Sequence, residues 1–352
     1  MINGYLVHFI GLLLAFLISA YLALFFGNRA VWGSDYNIGP QKIHNGLVPR
    51  IGGLAVFVSF MLQLVLGVGT YQSLPWLIMA MAIPVFLVGF LEDVTAKVTP
   101  LMRFLVSMIT GLLFVWFTGY SITRVDMNLI DSILSIGFIS IFLTVLSLAG
   151  LANAMNIIDG LNGLASGIAL FICAAIVFVS ISFDDHEFMF IGLSLASALV
   201  GFVVWNFPKG RVFLGDGGAY FVGAIVAGLV IALPERHSDI SPFFSLSLVS
   251  YPIYELLRTV LRRSLVSGRQ AFAPDNQHLH SLLYQVVSKR TNFSSTSQNA
   301  LASACMLTFP LILIICSISN HSDTPFLVGM LIAFIFIYEM MAMVLNFFRK
   351  KI

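Results

Sequence analysis

The sequence predicts an all-α polytopic membrane protein, and three observations carry this prediction. Of the 352 residues, 59% are hydrophobic and only 10% are charged, whereas a soluble domain has about 25% charged residues. The apolar residues form runs of roughly 20, the length that crosses a bilayer as a helix. The basic residues are concentrated in alternate loops between these runs. We therefore treat residues 1–352 as a single integral membrane domain.

Eleven apolar runs in the sequence are long enough to be membrane spans. The first begins at Ile2 with no basic segment before it, so we interpret it as a span and not as a cleaved signal peptide. The 41 residues of stretch 51–91 exceed one span, and Gly67, Gly69 and Pro75 predict a turn between two. The predicted spans are 2–26, 51–70, 74–91, 102–120, 130–151, 163–183, 188–205, 218–234, 243–259, 299–318 and 325–347.

Eleven spans place the termini on opposite sides of the membrane, and the basic residues indicate the orientation. One set of alternate loops holds 16 of the 18 Lys and Arg residues, and the other set holds only Arg124 and Arg236. Because basic loops stay in the cytoplasm, we predict an external N-terminus and a cytoplasmic C-terminus. The external loops are short and acidic, which is typical of simple connectors. The predicted cytoplasmic loops lie near 27–50, 92–101, 152–162, 206–217 and 260–298.

Composition also argues against two other kinds of site. The net charge of +2 is too small to indicate nucleic-acid binding. Cys173, Cys305 and Cys316 all lie in apolar runs without pair spacing, so we predict that they are small core residues.

The stretch NAMNIIDGLNGLASG, residues 153–167, carries a polar side chain at every third position. These side chains are Asn153, Asn156, Asp159 and Asn162. Neighbouring pairs can share a helix face, but all four cannot, because each step of three residues drifts by roughly 60°. We therefore predict that the helix ends within this stretch, where Gly160 and Gly163 allow a turn.

Four carboxylates are predicted to lie at helix ends on the cytoplasmic side. They are Glu92, Asp93, Asp159 and Asp216. None has a basic residue immediately beside it, and burying an unpaired carboxylate is costly, so a divalent cation such as Mg²⁺ or Mn²⁺ would be a suitable partner. Glycine-rich turns that can approach phosphates, together with His278 and His280, predict a site for a phosphorylated substrate. Each motif taken alone is also compatible with an ordinary turn or a solvated loop.

In combination, these motifs resemble those of the polyprenyl-phosphate N-acetylhexosamine-1-phosphate transferases, which include the muramoyl-pentapeptide translocase. They occur in family order between residues 35 and 281. The matching stretches are KIHNGLVPRIGG, GFLEDVTAK, NAMNIIDGLNGLASG, VFLGDGGAYF and PDNQHLH.

The resemblance implies a phosphosugar transfer in the bacterial inner membrane, with the active site on the cytoplasmic face. The phosphate of undecaprenyl phosphate would attack the β-phosphorus of a UDP-N-acetylhexosamine and release UMP, with Mg²⁺ required. The metal ligands it implies are Asp216 and Asp159. The catalytic residues it implies are Glu92, Asp93, Asp159, His278 and His280. The substrate-binding residues, with the basic side chains that would balance the remaining charge, are Lys97, Asn153, Asn156, Asn162, Asn206, Lys209, Arg211 and Phe213.

Three positions depart from the family pattern. Glu92 and Asn162 stand where the family often has Asp, which leaves a carboxylate at the first position and an uncharged acceptor at the second. Ser281 follows His280 where a further His is common. Without that third histidine we disfavour a muramoyl-pentapeptide substrate. We expect UDP-GlcNAc or a related UDP-HexNAc, feeding O-antigen, capsule or other cell-envelope polysaccharide synthesis.

Two other functions remain open at the level of sequence. A membrane transporter or lipid flippase would place polar groups near the middle of its spans, and here the mid-span positions are almost free of charge, with Glu255 and Glu339 as the exceptions. A non-catalytic protein that binds the lipid carrier would have no need of Asp93, Asp159 and Asp216. The sequence leaves open whether the protein is a monomer or a homodimer.

Overall fold

The computed structural model describes residues 4–27, 34–35, 47–67, 73–266 and 277–351. Most of these residues are helical, and strands β1 (Ser34–Asp35) and β2 (Val48–Pro49) form one short antiparallel pair. Most of the first predicted cytoplasmic loop, Gly69 and part of the fifth loop lie outside the described residues. The helices are α1 (Gly4–Tyr21, continued by a π-helical turn, Leu22–Phe26), α2 (Gly53–Leu66), α3 (Leu74–Thr95), α4 (Pro100–Thr118), α5 (Asn128–Leu134), α6 (Gly137–Ile158), α7 (Leu164–Ser182), α8 (His186–Asn206), α9 (Gly215–Arg236), α10 (Pro242–Leu248), α11 (Ser250–Val266), α12 (Leu279–Arg290), α13 (Ser295–Ser319) and α14 (Thr324–Lys351).

Within the described residues, nine helices are long and apolar enough to cross a membrane. They are α1 with its extension, α3, α4, α6, α7, α8, α9, α13 and α14. Helix α2 is apolar but shorter, and the predicted span 243–259 is divided into α10 and α11. The division has a local cause, because Pro252 lacks the N–H group that would bond the carbonyl of Leu248 in a continuous helix. The prediction of an all-α polytopic membrane protein is confirmed.

Helix α9 forms the centre of the bundle because its side chains are small or apolar on every face. All 20 residues from Gly215 to Pro234 are buried. Helices α3 and α6 pack along α9, with α2 and α7 also in contact. A helix that is apolar all round is typical of such a buried position. The GDGG turn that begins α9 therefore lies at the centre of one end of the bundle, which we call the Asp216 end.

Two helices approach the beginning of α9 so closely that only glycine fits. A Cβ atom on Gly53 of α2 would lie 2.2 Å from the Cα atom of Gly218. A Cβ atom on Gly89 of α3 would lie 2.7 Å from the Cα atom of Gly217. Small residues permit this backbone approach between membrane helices. This packing places the start of α2 and the end of α3 next to Asp216.

The opposite end of the bundle, which we call the Arg236 end, is closed by a buried ionic cluster. The Arg236 guanidinium lies 2.8 Å from Asp185 and 2.9 Å from Glu187. The Nε2 atom of His237 lies 2.7 Å from the same Asp185 carboxylate, whose side chain is 1% exposed. The acidic loops at this end are therefore more than the simple connectors predicted from sequence.

Candidate active site

Backbone pairing brings the first loop onto the beginning of α9. The N–H of Phe213 donates to the carbonyl of Pro49 at 2.9 Å, and the N–H of Gly52 donates to the carbonyl of Phe213 at 2.9 Å. Each hydrogen bond satisfies a backbone group that would otherwise be buried without a partner. This pairing holds Arg50, which lies between Pro49 and Gly52, beside the first turn of α9.

The Asp216 carboxylate is surrounded by hydrogen-bond donors from three separate elements. Arg50 Nη2 and Asn156 Nδ2 each donate to Oδ1 at 3.1 Å. The guanidinium of Arg103, on α4, donates to Oδ2. Hydrogen bonds between ionised groups are about twice as strong as neutral ones. Asp216 therefore holds two guanidinium groups and one amide at the beginning of α9.

Asp93 and Glu92 have different surroundings although they are adjacent in sequence. The buried Asp93 carboxylate accepts hydrogen bonds from the backbone N–H groups of Asp216 and Gly217, both at 2.8 Å. These are among the N–H groups that a helix leaves unpaired in its first turn, so Asp93 caps α9 from α3. Glu92 is half-buried, lines a cavity and accepts a hydrogen bond from the N–H of Val98 at 2.7 Å.

The Asn/Asp stretch breaks its helix as predicted. Helix α6 ends at Ile158, α7 begins at Leu164, and Gly163 has a φ of +76°, a left-handed conformation that favours glycine. The N–H of Gly163 donates to the Asn206 side-chain oxygen at 2.6 Å. The N–H of Asn162 donates to the side-chain oxygen of Asn299 at 2.9 Å.

Asn206 and Asn162 thus connect loops around the polar opening, whereas Asn153 connects α6 to α9. Besides accepting from the α6–α7 loop, Asn206 donates to the carbonyl of Val212 at 2.7 Å, so it joins that loop to the α8–α9 loop. Asn162 donates to the carbonyl of Pro208 at 3.1 Å, which leaves its side-chain oxygen as an acceptor. On α6, Asn153 accepts a hydrogen bond from the Tyr220 hydroxyl at 3.0 Å. Asn206 therefore acts mainly as a brace between loops.

Asp159 caps the end of α6 and lines the same opening as Asp216. Burial raises the pKa of the Asp159 carboxyl to about 8, although the nearby Arg50 guanidinium opposes this rise. Burial raises a carboxyl pKa because the ionised form loses its hydration. A cation placed in the opening would therefore favour the ionised form of Asp159.

His278 and His280 lie together at the start of α12 and are both buried. Their rings are parallel, with centroids 5.4 Å apart. His280 packs so tightly on the α6–α7 loop that a Cβ atom at Gly160 would lie 2.5 Å from its Nε2 atom. Burial lowers the pKa of His280 to about 4, with a further lowering from His278, so the His280 ring is neutral near pH 7.

Two cavities meet at this cluster. The first, of about 260 Å³, is lined by polar side chains such as Asp159 and Asn162 and by the ring of Phe213. The second, of about 1170 Å³, is larger than a usual small-molecule pocket of about 300–1,000 Å³. Its lining is mainly apolar and extends to residues at the Arg236 end of the bundle. The residues that line both cavities are Arg50, Asn156, Ile157, Asp216 and His278.

Three of the predicted basic residues are not brought to either cavity. Lys97 and Lys209 are exposed, and the exposed Arg211 guanidinium lies over the Trp205 ring, 5.6 Å from its centroid. The other predicted site residues line one or both cavities, except for Asp93, which caps α9. The lining residues are Glu92, Asn153, Asn156, Asp159, Asn162, Asn206, Phe213, Asp216, His278 and His280.

Arg50 and Arg103 line the cavities and bind Asp216, and sequence reasoning missed both as site residues. Arg50 belongs to the KIHNGLVPRIGG motif, which could have identified it. Arg103 lies in the first turn of an apolar helix and belongs to no recognised motif. Asn299, which supports Asn162, lies far along the chain on α13, where its sequence context gives no signal.

The oxygen donors of the polar cavity fit a divalent cation. Within the described residues, the Asp159 carboxylate accepts no hydrogen bond, and the three donors to Asp216 leave roughly one of its four acceptor positions. Carboxylate and amide oxygens are ligands that Mg²⁺ and Mn²⁺ prefer. No group of three or more His, Cys, Asp and Glu side chains converges as a ready metal centre in the described ranges. Any metal bound here would therefore use the two carboxylates together with other oxygen atoms.

Comparison with known proteins shows what the sequence is similar to. The sequence matches glycosyl transferase family 4 over residues 75–234, the part that contains Glu92 to Asp216. A probable undecaprenyl-phosphate N-acetylglucosaminyl 1-phosphate transferase of Bacillus subtilis (strain 168) is 28% identical, over 69% of this chain and 67% of its own length. The undecaprenyl-phosphate alpha-N-acetylglucosaminyl 1-phosphate transferase of Thermotoga maritima is 27% identical, over 71% of this chain and 72% of its own. A protein of the same description from Escherichia coli (strain K12) is 27% identical, over 69% and 67%.

These matches make the sequence similar to the polyprenyl-phosphate N-acetylhexosamine-1-phosphate transferases, nearer to their N-acetylglucosamine branch.

Proposed function

We propose that this protein transfers an N-acetylhexosamine 1-phosphate from a UDP-N-acetylhexosamine to undecaprenyl phosphate. The observation that carries the proposal is the meeting of a polar cavity with a large apolar cavity at Arg50, Asn156, Asp216 and His278. A nucleotide sugar is polar, like the first cavity, whereas the prenyl chain of a lipid phosphate is apolar, like the second. The names of the relatives support a polyprenyl phosphate as acceptor and N-acetylglucosamine 1-phosphate as the transferred group.

The polar cavity is suited to the UDP moiety. Phe213 lines it and offers a ring for stacking on uracil. The side-chain oxygen of Asn162, which accepts no hydrogen bond from the described residues, can accept one from the uracil N3–H. Ser281 also lines this cavity, so its replacement of a histidine lies where it can affect the choice of sugar. These features favour UDP-GlcNAc or a related UDP-HexNAc as donor.

The apolar cavity is suited to the prenyl chain. It is lined by Glu92 and Arg103 near the Asp216 end and by Arg124 and Glu235 near the Arg236 end. Helix α9, which separates these ends, has 22 residues and is therefore about 33 Å long at about 1.5 Å per residue. A cavity that follows such a helix can accommodate a long isoprenoid with its phosphate at the Asp216 end.

The chemistry requires positioning and charge neutralisation rather than a covalent intermediate. An oxygen of the lipid phosphate forms a bond to the β-phosphorus, and the bond from that phosphorus to the bridging oxygen breaks, so that UMP leaves with the bonding electrons. Arg50 and Arg103, held by Asp216, would neutralise the phosphates at the boundary of the cavities. Asp159 and Asp216 would hold a Mg²⁺ ion, which supplies further neutralisation of the diphosphate when bound.

The location of the reaction follows from the distribution of basic residues. The loops at the Asp216 end carry most of the Lys and Arg residues, so this end would face the cytoplasm, where UDP-sugars are made. The protein would then lie in the bacterial inner membrane and initiate the synthesis of O-antigen, capsule or another envelope polysaccharide.

The test is an assay of the purified protein with undecaprenyl phosphate, Mg²⁺ and a panel of UDP-N-acetylhexosamines. Release of UMP and formation of the lipid product are measured together. We expect equal amounts of both with at least one donor and loss of both with EDTA. Absence of UMP with every donor, from a folded preparation, would contradict the transferase function and favour the flippase alternative.

A further inference from the structure

One buried carboxylate next to the site takes no part in the chemistry described so far. Glu255 lies on α11, and it is 0% exposed. A buried carboxylate is stable only when it is well paired and hydrogen-bonded. Its partners therefore indicate what it does.

Glu255 connects His278 and the backbone after it to Tyr338. Its Oε1 atom lies 2.9 Å from Nδ1 of His278, and the backbone N–H of Leu279 donates to the same carboxylate at 3.3 Å. The hydroxyl of Tyr338, on α14, donates to Oε2 at 2.6 Å. Glu255 thus holds both the ring of His278 and the backbone that follows it, while Tyr338 holds Glu255.

The geometry of the ring determines what His278 can present to substrate. Because Nδ1 faces Glu255, Nδ1 carries the proton that is donated to the carboxylate. Nε2 is the remaining ring nitrogen, and within the described part of the chain it has no hydrogen-bond partner. His278 lines both cavities at their junction. Residues that hydrogen-bond the far nitrogen of a functional histidine fix its tautomer and orientation.

We propose that Glu255 is a positioning residue that orients His278 so that its Nε2 atom meets the substrate phosphates at the junction of the two cavities. Tyr338 restrains Glu255, and through it the C-terminal helix α14 supports the site. This inference rests on the proposed transferase function, because its effect is expressed in turnover.

A neighbouring carboxylate provides a matched control. Glu339 is next to Tyr338 on α14, accepts hydrogen bonds from Arg258 at 2.8 Å and Tyr254 at 3.0 Å, and lines neither cavity. Its replacement removes an ion pair from the same helices without touching His278. A general loss of packing between α11 and α14 would affect both variants, whereas loss of His278 orientation would affect only one.

The first experiment compares Glu255→Gln with Glu339→Gln in the UMP-release assay. We expect Glu255→Gln to lower kcat about 10–100-fold, the usual effect of removing such a supporting hydrogen bond, and to leave the KM for the UDP-sugar within about twofold of wild type. Glu339→Gln should keep the kcat of the wild type. Full kcat in Glu255→Gln, or equal losses in both variants, would overturn the inference.

The second experiment tests whether Glu255 acts through His278. In a protein that already carries His278→Ala, adding Glu255→Gln should cause no further loss of kcat, because the ring it orients is gone. Losses that multiply would show that Glu255 acts independently and would overturn the inference. If Glu255→Gln does not fold, Tyr338→Phe takes its place, with an expected loss of several-fold that also disappears in the His278→Ala background. A folded wild-type protein that makes no UMP would overturn the proposed function together with this inference, whereas the variant outcomes above would overturn only the inference.

Discussion

The two ends of the bundle both contain buried carboxylates paired with arginine, but they differ in what the pairs face. At the Arg236 end, Arg236 and His237 bind Asp185, and Glu187 completes a closed cluster. At the Asp216 end, Arg50 and Arg103 bind Asp216 at the junction of two cavities. The same type of ion pair therefore joins loops at one end, whereas at the other end it positions arginine side chains at the cavities.

The difference follows from local backbone structure. At the Asp216 end, α6 breaks at Ile158, and Gly163 and the GDGG turn let loops open around a cavity. At the Arg236 end, Asp185 caps the first turn of α8 by accepting from the N–H of Phe188 at 3.2 Å. A carboxylate that is paired with groups of its own loops stabilises the fold. A carboxylate that faces a cavity is available to bind a ligand.

The comparison is tested most strongly by Asp216→Asn. The variant keeps the shape of the side chain but loses the charge that holds Arg50 and Arg103, so we expect kcat to fall more than about 100-fold. The helix should still begin correctly, because Asp93 caps the backbone and not the side chain of residue 216. UMP release measures the first effect, and elution of a monodisperse protein in detergent measures the second. Full activity in the folded variant would show that Asp216 is not part of the active site.

Asp159→Asn should also abolish turnover in a folded protein. Its carboxylate lines the polar cavity and would share the divalent cation with Asp216. The measurement is UMP release over a series of Mg²⁺ concentrations. Wild-type turnover at every concentration would exclude Asp159 from catalysis and from metal binding.

Asp185→Asn should show the opposite behaviour and serves as the control from the Arg236 end. Loss of the negative charge weakens the interactions of residue 185 with Arg236 and His237, so we expect the free energy of unfolding to fall by about 1–3 kcal/mol. Turnover per folded molecule should not change. Thermal unfolding in detergent and UMP release are measured on the same preparation, and a selective loss of kcat would show that the two ends are coupled.

His280 should give the Asp216 end its own dependence on pH. Because burial lowers its pKa from 6.5 to about 4, the unfolded chain binds a proton more readily than the folded protein between these values. Its contribution to stability is therefore complete above about pH 6.5 and is lost as the pH falls towards 4. Unfolding curves of wild type and His280→Asn over this range isolate the effect, since all other groups are shared. The same pH dependence of the free energy of unfolding in both proteins would contradict a neutral, buried His280 ring.

Asn162→Asp should have the smallest effect. The substituted side chain keeps an oxygen acceptor for the nucleotide and loses one hydrogen bond to the carbonyl of Pro208, which costs about 1 kcal/mol. We therefore expect less than about a tenfold change in KM for the UDP-sugar, since about 1.4 kcal/mol corresponds to a factor of ten. A larger rise would show that the amide itself is required at this position.

The sequence by itself determined the membrane class, the end of α6 at the Asn/Asp stretch and the set of polar loops that form the site. These features depend on hydropathy, on helix periodicity and on glycine, all of which act over a few residues. Most candidate residues could be identified in the same way, because a carboxylate, amide or histidine beside a long apolar run is unusual wherever it occurs.

Only the tertiary structure decided which of these residues share a cavity and in what role. Asp93 caps α9 while its neighbour Glu92 lines the apolar cavity, because α9 lies on one side of α3 and the cavity on another. Arg103 reaches the site because α4 packs against α3 and α6, whereas Lys97, six residues earlier, remains exposed. The partners of Glu255 also lie far from it in sequence, with His278 23 residues and Tyr338 83 residues away. Packing between helices that are distant in sequence determines which of these residues are neighbours, and local sequence patterns do not predict it.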